Sequence, residues 1–288
     1  MLNLGKLPPA LARAVQIDSY DGGAGTDISA TTLKDSPRVR RLQRQHHAEI
    51  EDDAVRRVMA TFGTVYHKLV EEAAPSDWKV EKRLYAPSKD GLIISGAIDV
   101  LEPVALNSWN IRDHKVLTSW KAQKIAAGEE KDFERQLNIY SWLLHKNGQK
   151  TNQLYVDALV RDWTESMVER YEHYPDTPGI AYEIPLWSFE EQDSYIERMV
   201  GLHFGEEMPL CSDEERWMKP VKWALRKDGK RSRRVLDSEE EAKAELSKFK
   251  YKNLYEIVAI PGEPIRCVKN YCGVAEWCHQ YREEQGIV

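Results

Sequence analysis

The sequence predicts a mixed α/β fold, a central mixed sheet flanked by helices, and three observations predict it. Residues 51–72 carry apolar side chains near a 3.6-residue period, as an amphipathic helix does. Residues 78–86 (WKVEKRLYA) alternate like a strand, and residues 95–120 read as two further strands joined by a polar connection through Asn107. A second helical pattern over 133–145 and a strand pattern over 153–160 follow. The order helix, three strands, helix, strand suits a mixed sheet with helices packed on it.

Length and composition bound the answer. A chain of 288 residues can bury a full core, as one large domain or as one domain with an appendage. With 31% charged and 42% hydrophobic residues it suits a globular protein in water. No apolar run reaches the roughly 18 residues of a membrane span, and the N-terminal stretch lacks a basic region followed by an apolar core. The expected location is therefore the cytoplasm, with no membrane partner. A net charge of −6 argues against broad coating of nucleic acid but leaves room for a local basic groove.

Taken in order, residues 1 to about 30 are rich in Pro, Gly, Asp and Ser and read as an extended arm. Residues 28–32 offer an N-cap for a short helix toward Leu42. Arg38, Arg40, Arg41 and Arg44 crowd that helix, and the ordinary reading of such a run is a solvated face rather than a phosphate contact. In the next helix Val55, Met59, Phe62, Val65 and Leu69 recur at helical spacing. Gly63-Thr64 interrupts it and would admit a close approach of backbone or ligand; His67 follows one turn later. Residues 88–91 form a turn. Over 133–145, Gln136 and Tyr140 stand four apart on one side, while Leu137, Trp142, Leu143 and Leu144 supply apolar surface. A loop over 174–179 and a helix over 190–204 follow. Residues 221–235 (VKWALRKDGKRSRRV) read as a basic hairpin turning at Asp228-Gly229, and residues 238–241 as a capped helix start. The predicted divisions are an arm with a short helix (1–50), a core (51–206) and a cysteine-bearing C-terminal region (207–288).

The organising stretch is 95–120. Side chains two apart on a strand share a face, so Asp113 and Lys115 project together and His114 points the other way. If the two strands pair, Asp99 reaches the same spot. Asp113 and Lys115 alone would read as an exposed cross-strand pair. Two carboxylates and an ammonium on one sheet face are costly to bury unless they bind something. A divalent metal and a phosphate would satisfy all three. Glu81, on the preceding strand, could support a second ion.

Together these residues resemble the PD-(D/E)XK nuclease superfamily, in particular its RecB-like branch, which includes CRISPR-associated RecB-type nucleases and phage exonucleases. The upstream histidine motif matches Gly63-Thr64-Val65-Tyr66-His67. The Gly-x-x-Asp motif matches Gly96-Ala97-Ile98-Asp99, the Asp/Glu-x-Lys motif Asp113-His114-Lys115, and Gln-x-x-x-Tyr the pair Gln136 and Tyr140. The match covers roughly residues 60–160. The resemblance implies a restriction-endonuclease-like core and metal-dependent phosphodiester hydrolysis with Mg²⁺ or Mn²⁺. It implies that His67, Asp99, Asp113 and the backbone carbonyl of His114 ligate the ion. Lys115 would orient or activate the attacking water, and Gln136 and Tyr140 would hold the DNA backbone. The implied function is a DNA nuclease, an exonuclease on ends or single strands, working in recombination, repair or replication, in a bacterial host cell if phage-encoded. A recombination or single-strand-binding protein is a conceivable partner. The alternatives are a catalytically inactive nuclease fold that binds nucleic acid and a zinc-stabilised interaction module.

The four cysteines, Cys211, Cys267, Cys272 and Cys278, belong to the same comparison. Cytosolic chains rarely use cysteines as disulfides, and three of the four fall within twelve residues, which reads as metal or cluster ligation. In the RecB-like branch such cysteines often hold a [4Fe–4S] cluster that staples the C-terminal segment. Here all four lie downstream of the nuclease motifs. Tetrahedral Zn²⁺ is the alternative, although paired Cys-x-x-Cys knuckles are absent. The basic hairpin between Cys211 and Cys267 would clamp a DNA strand, with Trp217 or Trp223 as stacking surfaces; the plain alternative is a solvated hairpin.

Overall fold

A computed structural model of the chain describes residues 4–16, 24–51, 53–227, 230–269 and 271–287. The fold is mixed α/β with a central mixed sheet, as the order of patterns predicts. The chain divides into two compact units. The first is Met1–Pro37 with Glu51–Glu207, and the second is Arg38–Ile50 with Met208–Val288. Among the described residues no helix is long and apolar enough to cross a membrane.

The first unit opens with α1 (Pro9–Gln16), β1 (Ile28–Ser29) and α2 (Ala30–Leu33). The expected extended arm is therefore a helix, which buries Ala12 and Val15, and a short strand. Ser29 caps α2 by accepting from the Thr32 N–H at 3.2 Å. The helix expected to run on toward Leu42 is two pieces, because a residue before proline is pushed out of the helical region. Pro37 therefore starts α3 (Pro37–Gln45), most of which belongs to the second unit.

After α4 (Ala54–Arg57) comes α5 (Ala60–Ala73), with a turn between them where the sequence predicts one continuous helix. Gly63 does not interrupt α5, and a methyl group there would meet nothing within 4 Å, so no backbone of the described residues makes the close approach expected at this glycine. The apolar side chains of α5 are not core: Phe62, Val65 and Leu69 are 53%, 69% and 62% exposed.

The sheet comprises β1, β2 (Lys79–Pro87), β3 (Ile93–Ala105), β4 (Ser108–Leu117), β5 (Lys150–Val160) and β6 (Gly179–Ile184). Its order is β1-β3-β4-β5-β6, with β2 pairing the other side of β3. β3 and β4 form the predicted antiparallel hairpin, turning at Asn107, whose φ of 55° suits asparagine. β5 runs parallel to β4, and β6 returns antiparallel to β5. Between β4 and β5 lie α6 (Ser119–Ala126), capped by Thr118, and α7 (Lys131–Lys146). α8 (Phe189–Phe204) starts at a capping box between Ser188 and Glu191. The sequence patterns missed α6 and β6, the latter lost after a Pro/Gly-rich loop. The core lies between the sheet and α7, around Ile98, Leu101, Ile111, Leu137, Trp142 and Leu154.

In the second unit α9 (Asp213–Arg216) and β7 (Met218–Lys219) precede β8 (Lys222–Lys227) and β9 (Arg234–Leu236). β8 and β9 pair antiparallel as the predicted hairpin; its turn at Asp228-Gly229 lies outside the described residues. α10 (Glu239–Ser247), capped by Ser238, and β10 (Tyr255–Ile260) follow, β10 pairing the free side of β8. β11 (Glu263–Pro264) pairs β7, and α11 (Ile265–Val268) and α12 (His279–Glu284) bracket the cysteine-rich end.

Candidate active site

The site is built where β3 runs out of neighbours. On the side of β3 away from β2, β1 pairs with Ile94 and Ser95, and β4 pairs from Val100 onward. Among the described residues, 96–99 have no strand partner on that side. This is the Gly-x-x-Asp stretch. The register that sets Val100 opposite Arg112 would carry Asp99 opposite Asp113, yet the ladder ends one pair short. The strands part, and the Asp99 side chain completes what the backbone does not: its Oδ2 accepts the His114 N–H at 2.8 Å.

Gly96 lets α7 close over the gap. A methyl group there would lie 2.7 and 2.8 Å from two ring carbons of Tyr140 and 2.9 Å from Leu143 Cδ1. With Gly96 bare, Tyr140 reaches under β3 and its hydroxyl accepts from Gln136 Nε2 at 2.9 Å. The same amide lies 3.4 Å from Asp113 Oδ1. Gln136 and Tyr140 are both buried, so they support Asp113 from below rather than standing at the surface where a DNA backbone would pass.

Asp113 is 1% exposed, and its Oδ2 pairs with Lys115 Nζ at 2.6 Å, so the two residues do share a face. The His114 ring points the other way. Its Nε2 is 3.5 Å from Asp157 Oδ2, and Tyr66 of α5 meets it edge-on at 5.9 Å. What His114 offers the site is its carbonyl, 2.7 Å from His67 Nε2. A carbonyl only accepts, so that ring nitrogen carries the proton. His67 Nδ1 then faces Asp99 at 3.6 Å and Glu81 at 3.9 Å.

Glu81 is the residue that sequence reasoning undervalued. It sits directly across from Asp99 in the β2–β3 register, yet its φ of 46° breaks the ladder there. A left-handed glutamate in a strand is unfavourable by about 1–2 kcal/mol. Such strain concentrates where a side chain must be re-aimed. Among the described residues, His67, Glu81 and Asp99 form the one group of three or more His, Cys, Asp or Glu side chains whose donor atoms all lie within 4.8 Å of one another. The alternating strand 78–86 holds the only hint of Glu81, and its value depends on a register that periodicity does not show.

The electrostatics are those of a site short of positive charge. Burial, and then the neighbouring Asp113, push the Asp99 carboxyl up to about 6, against the opposing pull of Lys115 and His67. Burial alone would depress the Lys115 ammonium, but Asp113 and Asp99 outweigh it and hold the group above its ordinary value. His67 is raised first by its bond to Glu81, which burial opposes and Asp99 reinforces. Hard oxygen donors with one imidazole fit Mg²⁺ or Mn²⁺.

A second candidate site lies within the second unit. The four cysteines line one concavity together with Arg38 and Arg216. Arg38 is not the solvated residue its neighbours in sequence suggest. It is buried, donates from Nε to Cys278 Sγ at 3.2 Å and from an Nη to the Pro209 carbonyl at 3.1 Å. Arg216 is equally buried, pairs with Glu284, and lines the same concavity as Cys267. No three of the cysteine sulfurs fall within 4.8 Å of one another among the described residues. Trp217, expected as a stacking surface, already has Tyr271 against it at 5.4 Å and the Arg266 guanidinium over it at 5.7 Å. Trp223 is half-buried within β8.

Similar solved structures include SSO0001, at 18% identity over 69% of this chain and 86% of that one, with a TM-score of 0.47. Another is a phage-related exonuclease from Haemophilus somnus 129PT, at 14% identity over 68% and 82%, with a TM-score of 0.27. No curated protein matches the chain. The PD-(D/E)XK nuclease superfamily matches residues 24–279, a span that contains the parted strands, their carboxylates and lysine, and all four cysteines. By that match over most of its length, the chain belongs to the PD-(D/E)XK nuclease superfamily, whose members act on nucleic acid and typically use divalent metals.

Proposed function

We propose that this protein is a divalent-metal-dependent deoxyribonuclease that trims DNA ends or single strands. The observation that carries the reading is the parting of β3 and β4 at Asp99 and Asp113, which gathers His67, Glu81 and Asp99 on one side and the Asp113–Lys115 pair on the other. His67, Glu81, Asp99, Asp113 and the His114 carbonyl would hold the ion. A bound divalent ion neutralises a phosphoryl oxygen and acidifies its water. Lys115, fixed by Asp113, orients the attacking water and meets the negative charge that grows on the phosphoryl oxygens. Gln136 and Tyr140 keep Asp113 in place and are positioning residues.

The test is degradation of labelled single-stranded DNA with Mn²⁺. Asp113→Ala should lower the rate by about 100-fold or more, the scale of a lost charge-stabilising group. Equal rates for the variant and the parent protein would remove the catalytic assignment.

We also propose that Cys211, Cys267, Cys272 and Cys278 hold a [4Fe–4S] cluster that staples the second unit. Zinc at about 2.3 Å from each sulfur draws tetrahedral ligands to about 3.8 Å from one another. A cluster, whose cysteines bind different irons, needs a cage wider than that, and no three of the sulfurs lie within 4.8 Å of one another among the described residues. Brown protein with acid-labile sulfide is the expected result; colourless protein with stoichiometric zinc would replace it with the zinc reading.

A further inference from the structure

Two arginines at the cysteine site have no role in the family comparison, and both are buried. The described residues offer the Arg38 guanidinium a sulfur and a carbonyl, and no carboxylate. Arg216 has Glu284, but it also lines the concavity with Cys267. Four neutral thiols would leave the Arg38 cation buried without a counter-charge, an arrangement that proteins avoid. Four thiolates on a metal centre reverse the balance, because a [4Fe–4S] core with four thiolates carries a net charge of about −2 when oxidised and about −3 when reduced.

We propose that Arg38 and Arg216 are the charge-compensating residues of the cysteine centre. Arg38 donates an N–H bond to the ligand sulfur of Cys278, Arg216 brings its positive charge to the concavity that Cys267 lines, and both favour the centre's more negative, reduced form. The inference rests on the cluster reading above. Both are positioning residues, since they act through the ligand sulfurs. Hydrogen bonds to cluster sulfurs and nearby positive charge are general means by which a protein sets a cluster's potential. The arrangement also explains why α3, which precedes the nuclease motifs, belongs to the unit formed by the C-terminal segment. α3 supplies the cation, while its Val39 and Leu42 pack with Val274 and Cys278.

The experiment uses the full chain reconstituted anaerobically with ferrous iron and sulfide, and compares it with Arg38→Gln, Arg216→Gln and Arg38→Lys. At a fixed poise each Gln variant should shift the oxidised-to-reduced ratio about tenfold toward oxidised, which is about 59 mV for one electron. Arg38→Lys, which keeps the charge, should shift it less. Thermal unfolding of the loaded and the metal-stripped, reduced protein gives an independent sign. Arg38→Gln should destabilise the loaded form and leave the stripped form unchanged or more stable, because it removes an unpaired cation. Potentials equal to the parent's would overturn the proposal while leaving the cluster. A variant that loses stability equally in both forms would show a packing role and overturn it too. A parent protein without acid-labile sulfide would sink the cluster reading, and this inference with it.

Discussion

Asp99 and Asp113 lie on adjacent strands with opposite balances of charge, and the two should respond to the same substitution with opposite signs. Asp113 is the closest counter-charge of a half-buried ammonium. Asp113→Asn leaves Lys115 without it and should cost about 2–3 kcal/mol of stability. Asp99 is the carboxylate that the site holds against its own electrostatics. Its folded value of about 6 lies above the ordinary 3.8, so the folded protein binds that proton more tightly than the unfolded chain does. The metal-free protein therefore loses stability as pH rises from about 4 to about 6, and the loss is complete above that window. In chelator-treated protein at pH 7.5 or so, Asp99→Asn should gain on the order of 1–2 kcal/mol, an advantage that fades below about pH 4. The same variant should lose most of the rise in Tm that Mn²⁺ confers on the parent. Denaturant titrations across pH, with and without Mn²⁺, check both signs. Loss of stability in both variants at pH 7.5 would mean that Asp99 is not under the strain described.

At the scale of elements, β3 decides the geometry. It is thirteen residues long and pairs with three strands. The four residues between its β1 and β4 contacts carry the Gly-x-x-Asp motif. Gly96 is required by packing, not by backbone conformation, since it is the bareness of its Cα that admits Tyr140. Gly96→Ala should cost about 1–3 kcal/mol by overpacking. It should also move Tyr140 away from Gln136, weakening the support of Asp113. Urea unfolding with an unchanged slope, together with reduced Mn²⁺ affinity, is the expected pattern; a neutral substitution would mean that α7 does not press on β3 there. The α5 helix carries the converse lesson. Its period-3.6 apolar pattern is real, yet Tyr66 and His67 are among the residues that meet the sheet, and Phe62, Val65 and Leu69 are exposed. Periodicity shows that a helix has a face and does not show what lies against it.

At the scale of the molecule, charge matters more by its partners than by its count. The hairpin of the second unit holds seven basic residues within fifteen positions, and it reads as a clamp for DNA. Several are already engaged: Lys222 with Asp237, Arg234 with Glu245, and Arg233 with the Tyr255 hydroxyl and the Phe249 ring. Each phosphate contact contributes about 0.9 to the salt slope of duplex binding, and about 0.7 for a single strand. Replacing Arg231, Arg233 and Arg234 together by Ala should therefore reduce the slope by roughly one unit rather than nearly three. Fluorescence anisotropy with labelled DNA across salt concentrations measures it. An unchanged slope would show that the hairpin does not touch the backbone.

The sequence by itself determined most of the strands and helices around the site and singled out candidate residues for its chemistry. Alternation places Asp113 and Lys115 on one face of a strand and His114 on the other, and that parity is a property of the extended chain, independent of what the strand meets. Residue types and spacing also brought out Asp99 and the cysteines, and the family resemblance brought out His67, Gln136 and Tyr140. Only the tertiary structure decided that β3 and β4 part at Asp99, that Glu81 joins His67 and Asp99 through a left-handed turn of its backbone, and that Arg38 is buried against Cys278. Each of these depends on register or on a contact between residues far apart in the chain. Local periodicity records the direction of a side chain, whereas its partner is fixed only when distant elements pack.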